Sequence, residues 1–305
     1  MFALTILGSN SALPAFGRNP TAQVLQTDHD TYLIDCGEGT QLQLSRYKIK
    51  RSRIHHIFIS HLHGDHYYGL IGLINSMGLT NRIDDLHIHA PAGLEEIIKL
   101  QLSAADTVLP YALYFHTIEG EGVIHNDTHI EVSCFPVQHR IPCYGFLFRE
   151  KRNPRSVDPA RAKAYGIPEN HYPVLQSGKD YIHAKGTIIP NDEVTVKAPE
   201  PRTYAYCADT LFHEELADRV KNVDLLYHET TYLDGLAEHA FKRFHSTTKQ
   251  AGSIAKLANA GRLIIGHFSS KYENLDEFLK ETLEIFPNTE LALEGCCYQV
   301  GQKAK

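Results

Sequence analysis

The first sixty positions hold short segments in which apolar residues are bounded by polar residues or glycine. Four such segments lie at 2–8, 21–27, 31–37 and 55–60, and each has the length of a strand. Short apolar runs between turn signals are typical of buried strands. We therefore predict four strands here, the second and third joined by the polar turn at 28–30.

Strand-like and helix-like patterns alternate after residue 66. Apolar positions three or four apart are typical of helices, and continuous apolar runs are typical of buried strands. The alternation predicts an α/β fold in which sheets are covered by helices. The predicted helices lie at 67–78, 93–106, 211–222, 246–261 and 274–287. The predicted strands lie at 86–91, 130–139, 203–209, 223–232, 262–269 and 289–295.

One long segment, residues 149–202, shows neither pattern. It is rich in Pro, Gly, Lys and Arg, and ordinary connections in compact domains are only about 4–6 residues long. We interpret residues 1–305 as a single domain that carries an insertion at about 150–200. Basic residues interleaved with tyrosines favour an RNA-binding arm, although a solvated loop has a similar composition.

The overall composition is that of an ordinary globular protein. The 305 residues are 43% hydrophobic and 22% charged, with a formal net charge of −6. A nucleic-acid partner would therefore need a local basic surface. The six cysteines form no C-x-x-C pair, and the chain shows no signal-peptide pattern and no apolar stretch long enough to cross a bilayer. These features predict a cytoplasmic protein without a membrane partner.

The most unusual stretch is 61–66, which reads HLHGDH. Imidazole and carboxylate groups are good ligands for zinc, iron or manganese. His61 and His63, two apart on an extended segment, can point to the same side. Asp65 and His66 follow at a turn into a helix, so the stretch presents two groups of ligands. This spacing predicts a pair of metal ions.

Two metal ions need more ligands than one loop provides. His139, Asp209 and His267 each follow a predicted strand, and strand ends are where α/β proteins usually place functional side chains. Each of these residues taken alone is more readily explained as a hydrogen-bonded structural residue. The dense 61–66 stretch is not readily explained by structural roles, because crowded titratable groups cost free energy unless something binds them.

The 61–66 stretch resembles the signature of the metallo-β-lactamase fold. Further segments narrow the resemblance to the tRNA 3′-processing endonucleases, the short-form ribonuclease Z family. They occur in that family's order and span nearly the whole chain. The segments read LGSNSALPAFGRNPT, LIDCGEGTQLQL, IFISHLHGDHYYGLIGL, FPVQHRIPCYGF, CADT, HETTY, HST and IIGHFSSKY.

The resemblance implies a four-layer αββα sandwich with a protruding arm and two zinc ions per subunit, with Mn²⁺ or Fe²⁺ as alternatives. One ion would be held by three histidines, the other by one carboxylate and two histidines, with a shared aspartate between them. The implied ligands are His61, His63 and His139; Asp65, His66 and His267; and the bridging Asp209. Asp65 would also be catalytic, His245 would be the general acid, and Glu229 would be its carboxylate partner.

The implied activity is an endoribonuclease that removes the 3′ trailer from precursor tRNA, leaving a 3′-hydroxyl and a 5′-phosphate. The family commonly forms homodimers, and no nucleotide-binding fingerprint indicates a nucleotide cofactor. The implied RNA-binding residues are Arg18 and Asn19 of the early loop and four basic residues of the insertion. The latter are Arg152, Arg155, Lys163 and Lys179. Phe16 stands where the family often has a lysine.

Two other functions fit parts of the sequence. Another hydrolase of the same fold, such as a small phosphodiesterase, arylsulfatase, thioesterase or lactonase, would share the 61–66 stretch but would need no basic arm. A non-catalytic RNA-binding protein would need no complete ligand set, whereas every implied ligand position is filled here. An assay for processing of a 3′-extended tRNA distinguishes the implied nuclease from the first alternative. The metal content of the purified protein distinguishes it from the second.

Overall fold

The structure, a computed structural model, describes residues 1–151, 154–184, 186–198 and 200–301. Its contacts divide the chain into two compact units. The larger unit comprises Met1–Asn126, Val132–Phe148 and the residues from Arg202 on, and the smaller comprises Asp127–Glu131 and Arg149–Pro201. The insertion expected at about 150–200 makes up most of the smaller unit; that it forms an arm on a single domain stays a prediction.

The strands of the described residues are numbered along the chain. They are β1 Phe2–Gly8, β2 Ala22–Thr27, β3 Thr31–Ile34, β4 Ile54–Phe58, β5 Leu86–Pro91, β6 Leu113–Ile118, β7 Gly122–Asn126, β8 Ile130–Pro136, β9 Tyr144–Glu150, β10 Ser156–Val157, β11 Tyr181–Ile182, β12 Ile188–Ile189, β13 Thr195–Val196, β14 Thr203–Cys207, β15 Leu225–Glu229, β16 Leu263–Gly266, β17 Thr289–Leu291 and β18 Cys297–Gln299.

The helices are numbered in the same way. They are α1 Thr40–Arg46, α2 Gly64–Tyr67, α3 Leu70–Leu79, α4 Leu94–Ala104, α5 Pro159–Ala164, α6 Tyr172–Gln176, α7 Asn191–Val194, α8 Leu216–Arg219, α9 Ala237–Arg243, α10 Thr248–Leu257 and α11 Asp276–Leu283. Short 3₁₀ turns lie at Arg51–Arg53, Glu169–His171 and Asp234–Leu236.

Two large sheets form the framework. The first has the strand order β18-β1-β2-β3-β4-β5-β6, and the second has the order β17-β16-β15-β14-β9-β8-β7. Strands β3 to β6 run parallel, as do β14 to β17. The carboxyl ends of neighbouring parallel strands meet at one edge of a sheet. The segments that follow β14, β15 and β16 are therefore brought together.

Helices cover the outer face of each sheet. On the first sheet, apolar residues of β1 to β5 pack in one core cluster with α1, α3 and α4, as Ile57 and Ile88 do with Leu73. On the second sheet, α10 contacts β15 and β16, and α11 contacts β17. The α/β fold with helix-covered sheets that the sequence predicts is confirmed as four layers, helix, sheet, sheet and helix.

Aromatic side chains fill the space between the two sheets. Phe58 of β4 lies with its ring centroid 5.6 Å from that of Phe146 and 5.4 Å from that of Phe148, both on β9. Tyr206 of β14 donates a 2.6 Å hydrogen bond to Asp35, which follows β3. Alternation along β4 explains this arrangement, because Ile57 faces the helices while Phe58 faces the opposite sheet.

The smaller unit has its own apolar core, formed by Ala162, Ile167, Leu175, Ile189 and Val194. Its first helix, α5, begins where the Asp158 carboxylate accepts hydrogen bonds from two main-chain N–H groups of the first turn. The helices of this unit, α5, α6 and α7, are absent from the pattern-based prediction. Other departures are β6, β7, β9, β18, α1 and α9, which the pattern did not predict, and the helix predicted at 211–222, which is reduced to Leu216–Arg219.

Candidate metal centre

The 61–66 stretch follows the end of β4 and turns directly into α2. His61 and His66 are fully buried there. The loop after β3 packs against the stretch so closely that a Cβ on Gly37 would lie 2.4 Å from the carbonyl oxygen of Asp65. Only glycine allows this approach, which explains its place in the DCGEG segment. The close packing fixes the positions of the clustered side chains.

Three imidazoles converge in a first group. His61 Nε2 lies 3.0 Å from His63 Nδ1, and His139 Nε2 lies 3.1 Å from the same His63 atom. His139 comes from the segment after β8. Each residue therefore offers one nitrogen to a common point, and the three nitrogens lie within 4.8 Å of one another and of an oxygen of Asp209.

A second group lies beside the first. His66 Nε2 is 3.3 Å from His267 Nε2 and 3.7 Å from Asp65 Oδ2, and His267 Nε2 is 3.4 Å from the same carboxylate oxygen. His267 follows β16 and has a backbone φ of 60°, in the left-handed region. The structure thus brings together the residues that the sequence resemblance assigned to the second ion.

Asp209 lies between the two groups. Its Oδ2 is 3.6 Å from His61 Nε2, whereas its Oδ1 is 3.5 Å from His66 Nε2 and 3.2 Å from His267 Nε2. Oδ1 is buried, and within the described part of the chain it has no hydrogen-bond partner. A buried carboxylate oxygen without a partner is costly. The two oxygens face different groups, which is the geometry of a bridging ligand.

Hydrogen bonds behind the cluster fix the orientation of its rings. His66 Nδ1 lies 2.7 Å from Asp35 Oδ2, His139 Nδ1 lies 3.0 Å from the Phe244 carbonyl oxygen, and His267 Nδ1 lies 2.9 Å from Thr231 Oγ1. When these Nδ1 atoms carry the proton and donate it outward, the Nε2 atoms present lone pairs to the cluster. Asp35 and Thr231 were not singled out from the sequence.

The charge balance of the cluster is negative. Burial raises the pKa of Asp209, but nearby imidazoles outweigh this and hold it well below its usual range. Burial lowers the pKa of His66, but Asp209, Asp35 and Asp65 raise it well above the usual value. Asp35, Asp65 and Asp209 thus place three carboxylates around one buried imidazole, and this concentration of carboxylates favours a positive ion nearby.

These residues fit a pair of divalent metal ions. The donor set is imidazole and carboxylate, which suits zinc and related ions. The unpartnered Asp209 Oδ1 and the excess negative charge would both be satisfied by cations. In the proposed assignment, His61, His63 and His139 would hold one ion, Asp65, His66 and His267 the other, with Asp209 shared.

His245 lies next to this cluster, just before α10. Thr247 and Gln250 form a reciprocal capping box that begins α10 and holds the preceding segment in place. His245 Nδ1 lies 3.1 Å from Glu229 Oε1. Burial lowers the pKa of His245, but Glu229, by charge and by hydrogen bond, raises it above its usual value, with Asp209 assisting. Glu229 therefore favours the charged imidazolium form of the ring.

A cleft of about 310 Å³ opens onto these groups. Its lining includes His63, Asp65, Asp209 and His245 together with the exposed Arg140, which directly follows His139. A guanidinium in such a cleft can bind a phosphate. Arg140 was not predicted as a functional residue. Its position directly after His139, which follows a strand, is the feature of the sequence that could have indicated it.

Comparison with known proteins extends this picture. A family model described as Anti-Pycsar protein Apyc1 matches residues 2–162. A protein named Ribonuclease Z from Cytophaga hutchinsonii is 45% identical over 309 aligned residues, covering 99% of this chain and 97% of its own. The chain belongs to the ribonuclease Z family.

Solved structures agree with this membership of the ribonuclease Z family. The crystal structure of human tRNase Z, short form, is 25% identical, with a TM-score of 0.72 over 98% of this chain and 100% of its own. A metallo-beta-lactamase fold protein from Bacillus subtilis has a TM-score of 0.71 at 18% identity, covering 98% and 100% of the two chains. The expected metallo-β-lactamase fold and the resemblance to the ribonuclease Z family are both confirmed.

Two expected RNA-binding residues lie in the early loop. Arg18 donates hydrogen bonds to Asn10 Oδ1 at 3.0 Å and to main-chain carbonyl oxygens of the 272–273 segment. Asn19 donates to Glu294 Oε2 at 2.8 Å. The same loop supplies the Ala12 N–H that donates to Asp65 Oδ2 at 2.7 Å. Both side chains thus stabilise the loop, and their contact with RNA stays a prediction.

The other expected RNA-binding residues belong to the smaller unit. Arg155 donates to Thr195 Oγ1 at 2.7 Å and pairs with Asp192. Lys163 on α5 and Lys179 after α6 are exposed. Arg152 lies outside the described residues. The exposed lysines are therefore better placed for an RNA contact than Arg155, whose guanidinium already has partners.

Proposed function

We propose that this protein is an endoribonuclease that removes the 3′ trailer from precursor tRNA by hydrolysing one phosphodiester bond. The observation that carries the proposal is the placement of the two Asp209 oxygens, each facing a separate group of imidazoles beside an open cleft. Membership of the ribonuclease Z family supports the substrate, because the full-length relatives carry that name.

The donor set favours two Zn²⁺ ions per chain, with Mn²⁺ or Fe²⁺ as alternatives. When bound, such ions would supply Lewis-acid activation of water and of the phosphodiester. Side chains of the protein would orient the water and donate the proton. Asp65, held by the Ala12 N–H, would accept a hydrogen bond from the attacking water and orient it.

His245 supplies the proton for the leaving group. Its Nδ1 faces Glu229, so its Nε2 is the atom available to a substrate in the cleft. Proton donation to the departing 3′ oxygen leaves a 3′-hydroxyl on the tRNA and a 5′-phosphate on the trailer. Glu229 is a positioning residue: it fixes the tautomer of His245 and favours the charged ring.

Substrate binding depends on basic groups that meet phosphates. Arg140 in the cleft would bind the phosphate near the cut, and Lys163 and Lys179 would bind the body of the tRNA through charge. Within the described residues no helix is both long and apolar enough to span a membrane. A cytoplasmic homodimer is part of the proposal, drawn from the family resemblance.

A cleavage assay on a tRNA precursor with a 3′ extension tests this function. The expected result is a single cut at the base of the trailer, with a 3′-hydroxyl on the tRNA and a 5′-phosphate on the released fragment. A chelator should stop the reaction, and added Zn²⁺ should restore it. An RNA of equal length without the tRNA fold serves as the control.

Two other outcomes would contradict the proposed function. Hydrolysis of bis(p-nitrophenyl) phosphate with the tRNA precursor left intact would indicate a small-molecule phosphodiesterase on the same scaffold. Intact precursor and intact small substrate, together with less than one metal equivalent per chain, would indicate a non-catalytic RNA-binding protein.

A further inference from the structure

A second histidine cluster lies in the larger unit, away from the segment at 61–66. We call His56, His89 and His125 the cross-sheet cluster. His56 lies on β4 and His89 on β5 of the first sheet, whereas His125 lies on β7 of the second sheet. Alternation along β4 turns His56 to the same inward face as Phe58. The cluster therefore joins the two sheets.

The geometry of the cross-sheet cluster matches that of the first imidazole group of the candidate metal centre. His56 Nδ1 lies 3.2 Å from His89 Nε2, and the ring centroids of His56 and His125 are 4.0 Å apart. The three residues each offer a nitrogen within 4.8 Å of the others. Two imidazole nitrogens on one tetrahedral zinc, each about 2.0–2.1 Å from the ion, lie about 3.3 Å apart.

One buried nitrogen of the cluster, on His89, has no hydrogen-bond partner among the described residues. His89 is 2% exposed, and among the described residues its Nδ1 has no hydrogen-bond partner. Its ring is stacked on Phe58 with centroids 4.6 Å apart. A neutral imidazole has one donor and one acceptor, and the His56 and His89 nitrogens that face each other at 3.2 Å are the ones that an ion would bind.

The surroundings allow an ion to enter and bind. The exposed His116 of β6 lies with its ring centroid 4.6 Å from that of His89, and its Nε2 is 3.0 Å from His87 Nδ1. Imidazoles thus lead from solvent to His89. Burial and neighbouring histidines lower the pKa of His56 to about 3 and that of His89 to about 2, which keeps both rings neutral at pH 7.

We propose that His56, His89 and His125 form a second metal site that binds one divalent ion of the kind that takes imidazole ligands, Zn²⁺ foremost. A fourth position would be open to water toward His116. The ion would connect β4 and β5 of one sheet to β7 of the other and so stabilise the packing of the two sheets. The proposal does not depend on the catalytic function.

Counting metal equivalents tests the proposal. Protein stripped with a chelator is titrated with Zn²⁺, and bound metal is measured by mass spectrometry after removal of excess. Wild type should bind one equivalent more than His125→Gln and one more than His56→Gln. His171→Gln, which removes a histidine of the smaller unit, is the matched control and should bind as much as wild type. Equal metal content in wild type and both cluster variants overturns the proposal.

A measurement on the unaltered protein covers the case in which the variants do not fold. Crystals of wild type grown with Zn²⁺ are measured at the zinc absorption edge. An anomalous peak within bonding distance of His56, His89 and His125 supports the site. The absence of a peak there, with zinc present at the centre around Asp209, overturns it.

Discussion

The candidate metal centre and the smaller unit are built in different ways. The centre consists of buried and half-buried polar side chains, and several have a second partner behind them, as His66 has Asp35. The smaller unit has a thin apolar core and exposed basic residues such as Lys163. Chemistry needs fixed positions, whereas charge attraction to an RNA backbone tolerates movement. If the proposed function is correct, reaction and substrate choice depend on separate regions, and substitutions should separate them.

The largest effect should come from the centre itself. Asp65→Ala should reduce cleavage of both the tRNA precursor and bis(p-nitrophenyl) phosphate to background, because the residue contributes to one metal group and faces the cleft. Binding of the precursor, measured by gel shift, should remain. If turnover of either substrate persists at a comparable rate, the ligand assignment is wrong.

His245→Ala should give the next largest effect, a fall of about 10²–10⁴-fold in kcat on the tRNA precursor, because a general acid is lost. The fall on bis(p-nitrophenyl) phosphate should be much smaller, because p-nitrophenolate departs without taking up a proton. Metal content should be unchanged, since His245 is outside the proposed ligand set. His239→Ala, on the adjacent helix α9, is the matched control and should retain activity. A loss of metal equal to that of Asp65→Ala would make His245 a ligand instead.

A double variant of the smaller unit should affect tRNA alone. Lys163→Ala with Lys179→Ala should raise KM for the precursor and reduce the slope of log affinity against log salt by about 1.5, as expected when roughly two phosphate contacts are lost. Hydrolysis of the small substrate should not change. Lys99→Ala on α4 is the control, and equal losses on both substrates would remove the RNA-binding role.

Point substitution is a cleaner test than deletion of the insertion. Removing residues 151–185 would take away Ala162, Ile167 and Leu175 and leave Ile189 and Val194 without their core partners. Exposed apolar residues of this kind promote aggregation. The lysine substitutions leave that core intact.

The smallest expected effect concerns pH. Glu229 raises the pKa of His245, so the imidazolium persists to higher pH than it would alone and is lost as pH rises through the raised pKa. Glu229→Gln removes the charge, so the alkaline limb of the kcat profile should move to lower pH, and the loss should be greater at pH 8 than at pH 6. Profiles of precursor cleavage that superimpose for variant and wild type would contradict this role.

The contrast between the metal centre and the smaller unit also explains which features could be predicted from the sequence. The ligands at 61–66 are contiguous and of rare chemical type, and His139, Asp209 and His267 follow strands that the pattern reveals. Asp35 also ends a strand, but a lone carboxylate there gives no sign that three hydroxyl or imidazole groups will donate to it. Only the tertiary arrangement shows its role.

The smaller unit was harder to predict because its elements are short. Helices of four to six residues carry too few apolar positions to show a period. Asp158 followed by Pro159 is nevertheless a helix-start signal, and α5 does begin there. Strand β6 was missed because its side chains are largely exposed, so its sequence lacks a continuous apolar run.

The left-handed backbone of His267 has a consequence for protein engineering. An L-residue with a Cβ costs about 1 kcal/mol or more in that region, a cost that glycine does not carry. The strained backbone at this position is expected if His267 is a ligand that must approach the proposed ions from a tight corner. Replacement of His267 with glycine would relieve that backbone cost, but it would also remove a buried ring, its contact with Thr231 and, in the proposed assignment, one metal ligand.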